Sequence, residues 1–128
     1  MRPIYLNCHF FNKKNEMVVN IFKIDTSLVD QHPFQLFKWV THDPAHWENL
    51  SVYASVEDAV RVLLRGLFSE DLSDEIYHGQ ATVNPAEIME KINRGERSIS
   101  VFDSRNNEAF RLEFDVAFED LVERNSGA

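Results

Sequence analysis

Cysteine occurs once in this chain, at Cys8, so no intrachain disulfide can form. A lone thiol fits a reducing compartment. Glycine and proline are each present only four times, too few for a low-complexity or collagen-like chain. So little glycine also leaves almost no material for a phosphate-cradling loop. Neither G-x-x-x-x-G-K-[ST] nor G-x-G-x-x-G occurs, and C-x-x-C, H-E-x-x-H and G-x-S-x-G are missing as well. No run approaches the roughly 20 apolar residues needed to span a bilayer. The opening stretch M-R-P-I-Y-L-N-C-H-F-F lacks the unbroken apolar core of a signal peptide. A soluble, cytoplasmic protein is the expectation.

Basic residues are also short. Thirteen Lys and Arg stand against twenty-one Asp and Glu, a formal charge of −8. The imbalance is confined to one part of the chain. Residues 1–56 hold five acids and five bases, whereas residues 57–128 hold sixteen acids and eight bases. Such a balance disfavours nucleic acid and anionic membranes as direct partners and favours a basic protein surface.

Apolar residues make up 44% of the 128, with ten Phe and two Trp. That is enough for a single domain with an aromatic core. The stretch S-V-E-D-A-V-R-V-L-L-R-G-L-F, Ser55 to Phe68, organises the rest. Val56, Ala59, Val60, Leu63, Leu64, Leu67 and Phe68 recur at the spacing of one helix face. Ser55 is placed to cap the helix, and Glu57 and Asp58 set negative charge at the positive end of its dipole.

Strands are expected at Ile4 to Phe11 and Met17 to Ile24, joined by the polar turn 12–16. The second carries apolar residues on both faces, as an interior strand does. Phe34 to Thr41 reads as a third strand, and Leu50 to Ala54 as a short one. Asp43-Pro44 reads as the capped start of a helical turn. Leu72 and Ile76 are one turn apart, so helix is expected to resume before Gly79. Asn84-Pro85-Ala86-Glu87 opens another helix, which Gly95 stops. Ser98 to Asp103 and Ala109 to Val116 form a second hairpin. In its second arm Phe110, Leu112, Phe114 and Val116 alternate with Arg111, Glu113 and Asp115. Phe118, Leu121 and Val122 suggest a short helix after it. The fold class is therefore α+β: an antiparallel sheet from N-terminal and C-terminal hairpins, with two or three helices packed on one face.

Chemistry-bearing constellations are few. His42, Asp43, His46 and Glu48 cluster in sequence, but Pro44 keeps the two histidines off one continuous helical face. Cys8 beside His9 does not make a thiol–imidazole pair, because neighbours in a strand point to opposite faces. Glu70, Asp71, Asp74 and Glu75 lack the alternating ligands and central glycine of a calcium loop. They form an acidic ridge suited to basic groups on a partner, which Glu87 and Glu90 extend. Trp39 belongs with the core, and Trp47 is a candidate contact residue.

The leading expectation is a non-enzymatic protein-binding domain of inhibitor, immunity, anti-defence or adaptor type, acting on a basic partner. Its contact residues are Glu70, Asp71, Asp74, Glu75 and Trp47, with no catalytic residue, metal or cofactor. Two alternatives remain open: a small-ligand or metal-binding domain using His42, His46 and the aromatic segment, and a homodimeric structural component pairing through a sheet edge.

Overall fold

A computed structural model describes residues 2–11, 16–68, 76–78 and 81–121. Eight β-strands and two α-helices follow in the order β1 (Ile4–Phe11), β2 (Met17–Val29), β3 (His32–Val40), β4 (His46–Tyr53), α1 (Val56–Phe68), β5 (Ile76–His78), β6 (Ala81–Val83), α2 (Pro85–Asn93), β7 (Ser98–Phe102) and β8 (Glu108–Phe114). Six strands make one antiparallel sheet in the order β4-β3-β2-β1-β8-β7, and β5 and β6 pair separately. The class is α+β.

The two hairpins join directly. β1 pairs with β8, placing Leu6 opposite Phe114, Cys8 opposite Leu112 and Phe10 opposite Phe110. The third strand extends the sheet outward from β2. β2 is thus interior, flanked by β1 and β3, which explains its apolar residues on both faces.

Residues paired across strands share a face, so Leu6, Cys8, Phe10, Phe22, Phe110, Leu112 and Phe114 line one side of the sheet. These side chains join Ala59, Val60, Leu63 and Leu64 of α1 and Ile88, Met89 and Ile92 of α2 in one buried cluster. Ala59, Val60, Leu63 and Leu64 of the helical spacing seen in the sequence are therefore buried positions. Ser55 Oγ accepts from Asp58 N at 3.0 Å, closing the first turn of α1. Asn84 Oδ1 accepts from Ala86 N and Glu87 N ahead of Pro85. Gly95 ends α2 in the left-handed region at φ 96, where glycine costs no Cβ strain.

Three local expectations are corrected. Asp43-Pro44 does not start a helical turn: it is a bend between β3 and β4, with Asp43 at φ 57, and strand resumes at His46. The second strand, expected to end at Ile24, runs on to Val29, and a two-residue turn with Gln31 at φ 65 leads into β3. Ile76 lies in β5 rather than a resumed helix; Leu72 is outside the described residues. Pairing partners distant in sequence decide these segments, and single-strand periodicity carries no record of them.

Candidate functional site: the second face of the sheet

The odd-numbered residues of β1 point away from the main core. Across the sheet, Tyr5 pairs with Lys23, Asn7 with Ile21 and Glu113, and His9 with Val19 and Arg111. Lys23 in turn pairs with Phe37, and Trp39 with Trp47. These side chains form a second layer of mixed character.

One end is aromatic. Trp39 and Trp47 lie 5.0 Å apart between ring centroids, and Tyr5 is 6.0 Å from Trp47. Phe118 closes over them, stacked on Tyr5 at 5.1 Å and 5.3 Å from each Trp. Lys23 Nζ sits 4.6 Å above the rings of both Phe37 and Trp47, an arrangement that attracts a cation. Residues 118–121 are helical, and Leu121 is fully buried without belonging to the main cluster. The segment after β8 therefore covers the face opposite Leu6 and Phe110. The sequence suggests a short helix here without saying what it packs on; Phe118 meets Tyr5, Trp39 and Trp47, and Val122 lies outside the described residues. Phe118→Ala should uncover both indoles, so tryptophan emission should shift to longer wavelength with a stability loss of about 1–3 kcal/mol. Unchanged emission would mean that Phe118 does not roof the pair.

The middle of this face is polar and buried. Asn7 is 1% exposed. Its Nδ2 lies 2.6 Å from His9 Nε2 and donates to Glu113 Oε1 at 3.1 Å. His9 Nε2 and Glu113 Oε1 are 3.4 Å apart. The donor role of Asn7 requires His9 Nε2 to accept, which puts the neutral ring's proton on Nδ1. Asn7 Oδ1 is buried and has no hydrogen-bond partner among the described residues. The thiol that a nucleophilic mechanism would use is elsewhere: Cys8 opens on the opposite face and is fully buried, and burial alone pushes its pKa far above the usual thiol range.

Residues 69–75 fall outside the described residues, so Glu70, Asp71, Asp74 and Glu75 have no described geometry. Trp47 is half-buried within the aromatic cluster on edge strand β4. His42 and His46 are exposed, and His46 Nδ1 is engaged 2.7 Å from the Pro44 carbonyl. Among the described residues no group of three His, Cys, Asp or Glu side chains is placed to hold a metal ion. No described helix is long and apolar enough to cross a membrane. Sequence reasoning missed Tyr5, Asn7, His9, Lys23 and Glu113 as a set. The available signal was a polar residue at every other position of an otherwise apolar strand β1 that has a strand on each side. Comparison with protein-family models, with curated proteins and with solved structures finds no match to this chain.

Proposed function

We propose that the chain is a small non-enzymatic protein-binding domain, of inhibitor, immunity or adaptor type, that works in the cytoplasm by docking on a basic partner surface. The observation behind this reading is the one-sided charge: sixteen acids against eight bases in residues 57–128, with balance before them. In this reading α1 and α2 together roof the Leu6–Phe110 side of the sheet and turn their polar sides outward. Glu57, Asp58, Glu87 and Glu90 are exposed on those helices, and Glu70, Asp71, Asp74 and Glu75 follow α1 in sequence. Opposed charge on a partner would steer encounter and set its salt dependence. Trp47 packs with its own aromatic neighbours, so the acids carry the proposal and Trp47 adds at most an apolar edge.

The test begins with capture of the partner from the native host at low salt and its release at high salt. Replacing Glu70, Asp71, Asp74 and Glu75 together by lysine should then slow association with that purified partner by roughly tenfold or more and flatten the salt dependence. An association rate that ignores all four reversals would refute the acidic surface as the working one.

A further inference from the structure

Among the described residues the sheet ends on β7, and the sequence of that strand carries little of the usual edge protection. Natural edge strands are blunted by charge, proline or a bulge. The other edge, β4, carries Glu48 and a register shift at Leu36/Phe37 that leaves Leu50 as an extra residue. β7 reads Ser98-Ile99-Ser100-Val101-Phe102, without charge or proline, and Phe102 is 53% exposed; the β7–β8 ladder also shifts register at Val101/Phe102, but the extra residue, Ala109, lies on β8 and not on the edge strand. β6 comes near it and buries Val83 in the core, but among the described residues it pairs with β5 and not with β7.

The direction of the unpaired backbone groups follows from the ladder. Phe114 N donates to Arg97 O at 2.8 Å, and Asp103 N donates to Asn107 O at 2.9 Å. Antiparallel ladders alternate, so odd-numbered residues from 97 to 103 turn their backbone groups toward β8. Ser98, Ser100 and Phe102 turn theirs outward.

We infer that β7 pairs antiparallel with β7 of a second copy of this chain, about a two-fold axis through Ser100. In that register Ser100 faces the partner's Ser100, and Ser98 faces the partner's Phe102. All three outward-turned residues then find outward-turned partners. The same register sets Arg97 opposite the partner's Asp103, twice by symmetry. Arg97 is exposed. Asp103 Oδ1 accepts from Arg105 N and Asn107 N, both at 2.9 Å, which leaves Oδ2 for the guanidinium. An isologous contact needs a surface complementary to itself, and a strand with a cation at one end and an anion at the other is self-complementary only when antiparallel. Moving the axis to Ile99 or Val101 breaks the charge match. The result is a continuous twelve-stranded sheet across the two copies, built from the six strands of each. This inference does not depend on the acidic-surface reading.

Sedimentation of the wild-type chain should give a dimer of the 14.9 kDa protomer. Ser100→Pro removes an N–H that the monomer's own ladder does not use, together with the Ser100 Oγ hydrogen bond to Glu108 Oε2 at 2.8 Å, so the variant should keep its circular dichroism and lose only a few degrees of melting temperature yet sediment as a monomer. Arg97→Glu turns two cross-strand attractions into repulsions and should weaken the dimer by roughly tenfold or more; it decides the matter alone if Ser100→Pro misfolds. A wild type that stays monomeric over its soluble range overturns the proposal. So does a dimer that survives either substitution in a folded chain.

Discussion

Phe110→Ala is expected to lower the unfolding free energy by about 3–5 kcal/mol and the melting temperature by roughly 10–20 °C. Phe110 is 1% exposed and sits mid-strand in β8, opposite Phe10 on one side and Val101 on the other. It lies in the cluster that also holds the inner sides of α1 and α2. Truncation removes a whole ring from a place where sheet and helices are both committed, so collapse cannot refill the space cheaply. Urea denaturation measures the loss, and the slope of the transition should stay unchanged because the same surface is exposed on unfolding. A cost under about 1 kcal/mol would mean that this ring is not central to the core.

Asn7→Asp is expected to cost about 3–5 kcal/mol at neutral pH and almost nothing below about pH 4, each measured against wild type at the same pH. The new carboxyl would be buried within hydrogen-bond range of Glu113, where Asn7 Nδ2 now donates at 3.1 Å. Desolvation and like charge both favour its protonated form, so its pKa in the folded state lies above that in the unfolded state. The folded state then binds more protons. The deficit is absent below the unfolded pKa, grows as pH rises, and is complete above the folded pKa. Paired thermal melts at pH 4 and pH 7 check it. A deficit that does not change with pH would show that the introduced carboxyl is solvated, and that the Asn7–His9–Glu113 group is not the buried network described.

Much of the scaffold could be read from local pattern. The alternation Phe110, Leu112, Phe114 is the buried set of β8, and the stripe of α1 is buried at Ala59, Val60, Leu63 and Leu64. The Asn84-Pro85 start and Gly95 stop of α2 follow from backbone chemistry within a few residues. What pattern hides is whatever depends on distant partners. Asn7 and Glu113 are 106 residues apart, and only the β1–β8 pairing brings them together. In isolation Asn7 is an ordinary polar residue on the wet side of a strand. Phe118 and Leu121 look like any short amphipathic turn, and nothing local says which face of the sheet they will cover. The Asp43-Pro44 bend deceives because an acid before proline suits both a helix start and a strand-to-strand turn. The acidic excess was legible as composition only, since the charge count does not say where the side chains stand.

The pairing of β1 with β8, the first and last of the described strands, has a kinetic consequence. During synthesis β1 to β4 can form a meander early, but β1 keeps one open edge until β8 leaves the ribosome, and so does the Leu6–Cys8–Phe10 row. Non-local closure of this kind slows folding and lengthens the exposure of apolar strand. It also makes the single thiol a built-in reporter. Cys8 is sealed at the β1–β8 seam, opposite Leu112, with no solvent exposure. A thiol-alkylating reagent therefore gains access only when the seam parts, and the labelling rate of the native chain reads the free energy of that opening.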